Sequence, residues 1–252
     1  MTTRPDTAFD DTLEAACQVA AARRSTSGVD TRTVRTLLRA YYHHVTAEDL
    51  AGRDAEDVYG AAMRHFRLAG RRPQGTVTVQ VTTPDVDEHG WSAAGHTVVE
   101  VVTDDMPFLV DSVTMYLARR DHGIHLVIHP QLRVERDVAG DLRGLALGTP
   151  GESGIEGAAG SDDHSGAVDE SWMHVEIDRV EDSARLGELE AGLSEVLRDV
   201  REAVEDWTKM KERVSAIIDS LRTEPPPVPD DEIDEVRALL GWLADDHFTF
   251  LG

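Results

Sequence analysis

The period of the apolar residues changes along this chain, and that change constrains the fold more than any other feature. Before residue 70 the apolar side chains recur every three or four positions, which is typical of amphipathic helices. Residues 75–180 contain segments in which apolar and polar residues alternate, as they do in half-buried strands. The helical period returns between residues 183 and 221. This succession of helical, strand-rich and helical segments predicts an α+β fold.

Residues 1–72 are predicted to form an N-terminal helical segment. The apolar positions of a helix predicted over residues 31–50 are Val34, Leu37, Leu38, Tyr41, Tyr42 and Val45. Thr46 and Asp49 have the spacing of a capping box, so a helix is expected to restart there. A further helix is predicted over residues 55–69, where the sequence Gly-Arg-Arg-Pro ends it.

Residues 75–222 are predicted to form an α+β domain. Its elements in chain order are strands over residues 77–81 and 97–102, a helix over 108–120, and strands over 124–134 and 172–178. Gly123 is expected to end the helix, and Pro130 indicates an edge strand or a bulge. Residues 137–170 are rich in Gly, Ser and acid and predict a long, mobile loop. The order of elements predicts a split β-α-β arrangement, a ferredoxin-like β-α-β-β-α core.

One long amphipathic helix is predicted at the end of that domain. Between residues 183 and 221 apolar side chains recur at steps of three or four without interruption. An unbroken helix of this length would measure ~57 Å at ~1.5 Å per residue. Because this is too long to pack on one small sheet, we expect part of the helix to contact another helix or a second subunit.

Residues 223–252 are predicted to contain a linker, a helix and the truncated start of a further module. Four prolines between residues 225 and 229 favour a stiff linker. The acidic residues that follow favour a helix over residues 230–244. Residues 247–252 alternate like the first part of a strand, so we expect the chain to stop inside a module.

The strong negative charge limits the partners of the chain. The 252 residues include 48 Asp and Glu against 25 Lys and Arg, a formal net charge of −23. Binding to nucleic acid or to an anionic membrane depends on basic residues, so neither partner is expected. Without a secretory signal or an apolar run near the ~20 residues of a membrane span, the chain is expected to be cytoplasmic. Cys17 is the single cysteine, which excludes a disulfide framework and a thiolate metal site.

Several strings of residues resemble known families. Residues 98–134 are similar to an ACT domain, the small-molecule-sensing module of amino-acid metabolism, in which a strand ends in an Asp-x-Pro-Gly-type turn. Four strings resemble the N-terminal region of the large, multi-domain NAD-specific glutamate dehydrogenases. They are Asp105-Met-Pro-Phe-Leu-Val-Asp-Ser-Val113, His129-Pro130 with Arg136-Asp137 after it, Ser171-Trp172-Met173-His174, and Trp-Leu-Ala-Asp-Asp-His-Phe-Thr-Phe-Leu-Gly at residues 242–252. The resemblance implies ACT-like segments here and a dehydrogenase domain far downstream.

The same resemblance implies a parent enzyme that converts glutamate, NAD and water to 2-oxoglutarate, ammonia and NADH. Gly148, Gly151 and Gly154 do not have the spacing of a dinucleotide-binding loop, and no helix pattern follows them. The family uses lysines in catalysis, but Lys209 and Lys211 lie beside acidic residues and favour solvated ion pairs. We therefore predict no catalytic residue, cofactor site or metal site in this chain, and NAD is implied only for the parent.

The candidate effector or interface turn comprises Asp104, Asp105, Met106, Pro107 and Phe108. In a structural role, a carboxylate here would cap the helix that opens at Pro107, worth ~1 kcal/mol. In a functional role, the turn would receive an effector or a partner domain. Phe108 stands where the ACT family has the glycine that lets a ligand approach, which disfavours amino-acid binding.

Four further residues are candidates for an interface: His125, His129, Trp172 and His174. His125 and His129 share a strand face but lie ~13 Å apart at ~3.3 Å per residue, too far to bind one metal ion. His174 could meet one of them across the sheet. An exposed Trp172 would indicate contact with another domain, and packing in the core is the alternative.

The leading hypothesis is a non-catalytic regulatory or assembly region of an NAD-dependent glutamate dehydrogenase. It would associate with other domains and subunits of the parent, as a homo-oligomer, through the apolar stripe of the long helix and the sheet edges. The alternative is a stand-alone ACT-type module in which residues 104–108 hold an amino-acid effector. A third hypothesis, a self-sufficient enzyme, predicts NADH formation from glutamate and NAD, and we expect none.

Overall fold

A computed structural model describes residues 5–23, 29–145 and 167–247. The chain forms two compact units, Met1–Leu197 and Arg198–Gly252. Helices and an antiparallel sheet confirm the predicted α+β class. The predicted division into residues 1–72, 75–222 and 223–252 stays a prediction.

The N-terminal segment is helical, as predicted. Its helices are α1 (Pro5–Ala22), α2 (Thr31–Tyr41), α3 (Ala47–Leu50) and α4 (Ala55–Leu68). The helix predicted over residues 31–50 ends at Tyr41 and restarts at Ala47, where Thr46 and Asp49 form the predicted capping box. The apolar faces of α1, α2 and α4 bury against each other and against one side of the sheet.

The described residues form a sheet of six strands, all paired antiparallel. They are β1 (Thr78–Thr82), β2 (Thr97–Asp104), β3 (Ile124–Ile128), β4 (Gln131–Arg136), β5 (Leu142–Leu145) and β6 (Ala167–Ile177). The strands lie in the order β1-β2-β6-β4-β5, and β3 also pairs with β6. Helix α5 (Val86–His89) precedes β2, and α6 (Leu109–Ala118) connects β2 to β3. Because β6 lies between β2 and the β3–β4 segment, the predicted split β-α-β core is confirmed.

Three details of the predicted α+β domain differ from the structure. The strand predicted over residues 124–134, with an edge or a bulge at Pro130, is divided there into β3 and β4, which both pair with β6. The loop predicted over residues 137–170 contains β5 and the start of β6, and its residues 146–166 lie outside the described residues. Helix α6 ends at Ala118 rather than at Gly123, and Asp121 takes the left-handed conformation with φ 60°.

Each central strand presents alternate side chains to two buried faces. We call the side that packs on α1–α4 the polar face. Its central residues are Val98, Glu100 and Val102 of β2 and Glu170, Trp172, His174 and Glu176 of β6. We call the other side the apolar face, and its central residues are Val99, Val101, Met173, Val175 and Ile177. Every one of these residues is at most 1% exposed.

Helix α6 and the first part of α7 (Ser183–Glu205) cover the apolar face. Their buried residues are Leu109, Val113, Tyr116, Leu117, Leu189, Leu193 and Leu197. Gly192 lets the two helices approach, because a Cβ atom there would lie 1.7 Å from the Tyr116 hydroxyl. Glu190 of α7 accepts a hydrogen bond from the backbone of Val81 in β1.

The predicted long helix is two helices. Helix α7 ends at Glu205, and α8 (Trp207–Thr223) begins after Asp206. The second unit also contains α9 (Asp230–Trp242), which confirms the predicted helix there. A π-helical turn, Leu243–His247, follows, so His247 does not start a strand, and residues 248–252 lie outside the described residues. Among the described helices, none is long and apolar enough to cross a membrane.

Candidate functional site

The acidic turn of residues 104–108 is held by groups of this chain. Asp104 accepts hydrogen bonds from the Arg72 guanidinium at 2.6 Å and from the Gly75 amide at 3.0 Å. Asp105 accepts one from the Gln131 side chain at 2.8 Å, and its own amide donates to the Asp169 carbonyl. Both carboxylates are therefore engaged before any ligand arrives.

The predicted capping role of this turn is wrong. Helix α6 begins at Leu109, two residues after Pro107, and its N-cap residue is Phe108, without a side-chain capping bond. Phe108 takes the left-handed conformation, with φ 68°, and is 42% exposed. The backbone thus keeps the shape that glycine favours while carrying a bulky side chain, which costs of the order of 1–3 kcal/mol. Asp104 turns instead to the buried Arg72.

Arg72, whose side chain is fully buried, joins this turn to the polar face. It donates to both Asp104 and Glu170, and Arg136 donates to both oxygens of Glu170. The Trp172 indole also donates to Glu170, at 2.9 Å. Burial raises the pKa of Glu170, but the hydrogen bonds from Arg136, Trp172 and Arg72 outweigh it and hold that pKa below its usual value. The sequence indicated only that residues 70–73 stop a helix, and it gave no signal for this network.

A second buried network surrounds Glu176. Arg53 binds it with both guanidinium nitrogens, at 2.6 and 2.8 Å. His96 and His174 approach the same carboxylate at 3.3 Å. Burial raises the pKa of Glu176, but the bonds from His174 and Arg53 prevail and lower it to about 2. Glu176 is therefore an anion inside the fold.

A third group contains His65, Glu100 and His174. The Tyr41 hydroxyl lies 2.8 Å from His65 Nδ1, and His65 Nε2 lies 3.1 Å from the Val101 carbonyl. Burial and the neighbouring His174 lower the pKa of His65 to about 3. Glu100 pairs through Oε2 with the Arg64 guanidinium at 3.4 Å, and burial raises its pKa to about 6 despite His174 and Arg64.

The four predicted interface residues fall into two environments. Trp172 and His174 are fully buried, because the N-terminal helices cover their face of β6. The polar residues on that face had suggested that it was solvated. Neither is available to another domain. His125 is exposed, pairs with Asp178 at 2.8 Å and stacks on His96, with 4.1 Å between ring centroids. His129 is half-buried and hydrogen-bonds to Ser171, and burial lowers its pKa.

The structure describes only the two lysines among the residues weighed for dehydrogenase chemistry. Lys209 pairs with Asp206 at 2.8 Å, as predicted for a solvated helix. Lys211 lies over the Trp207 ring, 5.3 Å from its centroid. Gly148, Gly151 and Gly154 lie outside the described residues.

Comparison with known proteins gives matches over most of the chain. Residues 37–193 match the family model described as glutamate dehydrogenase, ACT1 domain. The chain is 38% identical over 220 residues to an NAD-specific glutamate dehydrogenase of Halomonas elongata, covering 87% of this chain and 13% of that protein. It is 36% identical over 212 residues to the protein of that name from Pseudomonas aeruginosa, covering 84% and 12%. Over 191 residues it is 30% identical to the Mycobacterium tuberculosis protein of that name, covering 75% and 11%. The chain thus spans about an eighth of the length of these relatives.

Proposed function

The chain belongs to the glutamate dehydrogenase ACT1 domain family, and we propose that it is a non-catalytic assembly and regulatory region of an NAD-specific glutamate dehydrogenase. The parent would convert glutamate, NAD and water to 2-oxoglutarate, ammonia and NADH, with its cofactor and catalytic residues outside this chain. A cytoplasmic location and a homo-oligomeric parent are parts of the same proposal.

One observation favours assembly over amino-acid sensing. Both carboxylates of the turn at residues 104–108 are bound by the chain's own Arg72, Gly75 and Gln131. An effector would have to displace these bonds, and a buried Arg72 left with fewer partners would be strongly disfavoured. The turn is therefore better suited to fixing α6 against β2 than to binding a small molecule.

Apolar residues on α9 are the surface that we propose for association. Val236, Leu239 and Trp242 are 46%, 56% and 52% exposed and recur at three-residue steps, so they share one side of the helix. Exposed apolar clusters of this kind favour contact with another protein surface. The partners would be other domains or subunits of the parent enzyme.

Calorimetric titration separates assembly from sensing. We expect no saturable heat when glutamate or another amino acid is added to the chain. Saturable heat that disappears in Asp105→Ala would overturn the assembly role in favour of an amino-acid sensor. A purified chain that formed NADH from glutamate and NAD would contradict the non-catalytic part of the proposal.

The association surface is tested by a matched pair of variants in the parent enzyme. Leu239→Asp is expected to weaken subunit or domain assembly, as measured by sedimentation velocity. Val86→Asp changes a residue of α5 that is 61% exposed and is expected to leave assembly unchanged. Equal behaviour of the two variants would contradict the assignment of this surface to α9.

A further inference from the structure

The second unit, Arg198–Gly252, buries too few side chains to form a core of its own. Among its described residues, Ile233 of α9 is the only buried one. A unit this small folds stably only with many buried side chains, or with surface that is contributed from outside it. Helices α8 and α9 contact each other, and we call them, with the loop between them, the helical hairpin. The helical hairpin therefore has the composition of an incomplete helical bundle.

Exposed apolar residues lie on both helices of the hairpin. Ile217 of α8 is 38% exposed, and Val236 and Leu239 of α9 are 46% and 56% exposed. Met210 precedes Ile217 by two helical turns and is half-buried, so the two residues form an apolar strip along one edge of α8. Val236 and Leu239 form a second strip, on one side of α9. Each helix therefore offers an apolar strip to a partner.

The charges beside these two strips are opposite in sign. Helix α8 contains four basic residues, among them both lysines of the chain, against two acidic ones, whereas α9 contains five acidic residues against one arginine. Arg213 lies one turn before the exposed residue of the α8 strip, and Glu232 and Glu235 lie one turn before the two residues of the α9 strip. All three are exposed, and none forms an ion pair within the described parts of the chain.

We propose that the helical hairpin pairs with the hairpin of a second copy of this chain and forms a four-helix bundle. A twofold axis would place the strip of α8 against the strip of α9 in the other copy, and it would repeat that contact symmetrically. The arginine beside one strip would then face the glutamates beside the other. Because one hairpin carries both halves of this complementary pair, its surface fits itself, which favours a second copy over an unrelated protein.

This inference rests on the association surface proposed for α9 and names the partner of that surface. Apolar contact between the strips would supply most of the affinity, and the charges would fix the orientation of the two hairpins. The net charge of −23 makes two copies repel each other over most of their surface. The basic side of α8 is the local exception, so the charges favour this one mode of pairing.

Sedimentation equilibrium of the full chain, over a range of concentrations, tests the pairing. We expect a reversible equilibrium between monomer and dimer. Arg213→Glu should raise the Kd of the dimer about fivefold, because each dimer contains the altered contact twice. Arg71→Glu makes the same change in net charge at an exposed residue outside the hairpin and should leave the Kd nearly unchanged. A chain that stays monomeric at every concentration, or equal effects of the two variants, would overturn the proposal.

Charge reversal on both helices tests whether α8 of one copy faces α9 of the other. A variant with Glu232→Arg and Glu235→Arg should also weaken the dimer. Adding Arg213→Glu to that variant should restore much of the lost affinity, because opposite charges again face each other. Helix content, measured by circular dichroism, identifies any variant in which the hairpin has unfolded. Absence of recovery in a variant of unchanged helix content would contradict the pairing.

Results on the chain and on the parent enzyme together separate this inference from the proposed function. If Leu239→Asp weakens assembly of the parent while the chain alone stays monomeric, α9 associates with a different partner and only the pairing of copies is wrong. If the chain dimerises and charge reversal restores the dimer, while Leu239→Asp leaves assembly of the parent unchanged, the pairing is supported and the proposed assembly role of α9 is wrong.

Discussion

Strands β2 and β6 present one face to the N-terminal helices and the other to α6 and α7. The two faces are buried to the same extent but differ in chemistry. The apolar face is built from aliphatic side chains and Met173, whereas the polar face carries Glu100, Glu170, His174 and Glu176. Burial alone therefore does not determine which residues a sheet face can hold.

The difference between the faces comes from what covers them. Three arginines reach the polar face from α4 and the loops on either side of it, and each pairs with a different glutamate. The pairs are Arg53 with Glu176, Arg64 with Glu100, and Arg72 with Glu170. A buried carboxylate is tolerated only with such a partner. The N-terminal helices are thus joined to the sheet by charge as well as by apolar contact.

The largest effect is expected from removing a buried arginine. Arg72→Ala leaves Glu170 with one arginine fewer and should reduce the free energy of unfolding by about 3–5 kcal/mol, measured with urea. Arg71→Ala is the matched control, because the neighbouring side chain is 74% exposed and should cost less than about 0.5 kcal/mol. Similar losses in the two variants would show that the buried network contributes nothing.

A smaller effect is expected on the apolar face. Val175→Ala removes two buried carbon atoms and should cost about 2 kcal/mol, including the cavity that it leaves. Val86→Ala, at a residue that is 61% exposed, controls for the change in side chain. A loss at Val175 as large as that of Arg72→Ala would erase the contrast between the faces.

Lowering the pH should reduce the stability contributed by the polar face but not that contributed by the apolar face. The pKa of Glu170 is lowered in the fold from the ordinary value of 4.5, so its stabilisation is complete above about pH 4.5 and is lost as the pH falls through the folded pKa. The difference in unfolding free energy between the unaltered chain and its Glu170→Gln variant should therefore shrink below pH 4.5. The loss in Val175→Ala should not vary with pH. A constant difference for Glu170→Gln would contradict the lowered pKa.

The smallest effect is expected outside both faces. His125 and Asp178 form an exposed pair, with 41% and 55% of their side chains accessible. His125→Ala should change the unfolding free energy by no more than about 0.5 kcal/mol. A loss above 2 kcal/mol would show that the stack of His125 on His96 belongs to the buried network.

The sequence predicted the positions of the strands but not the burial of the polar face. Alternation of apolar residues located β1 and the second half of β6, a valine-rich run located β2, and Thr46 with Asp49 predicted a capping box that is present. The same alternation made the side of β6 that carries Trp172 and His174 resemble a solvated face, because a polar residue in a strand normally points to water. Only the tertiary arrangement shows that Arg53, Arg64 and Arg72, 11 and 8 positions apart along the chain, meet three glutamates of the sheet.

The predicted capping role of the turn at residues 104–108 was wrong for a related reason. A carboxylate before a predicted helix favours a cap, but Asp104 accepts hydrogen bonds from the Arg72 guanidinium and the Gly75 amide, and α6 has no side-chain capping bond. The break between α7 and α8 also had no local signal, since the apolar period continues through Asp206. Long-range pairing cannot be read from spacing along a single chain.

A double-mutant cycle on Arg53 and Glu176 tests most directly whether buried charge joins the N-terminal helices to the sheet. The unfolding free energies of Arg53→Met, Glu176→Gln and the double variant would be measured with urea at neutral pH. Because each single change removes the bidentate partner of the other side chain, which is buried for Glu176 and partly buried for Arg53, the double variant should be more stable than the sum of the single losses predicts, by about 1–3 kcal/mol. Single losses that add to within about 0.5 kcal/mol would show that the two residues do not interact, and would contradict the account.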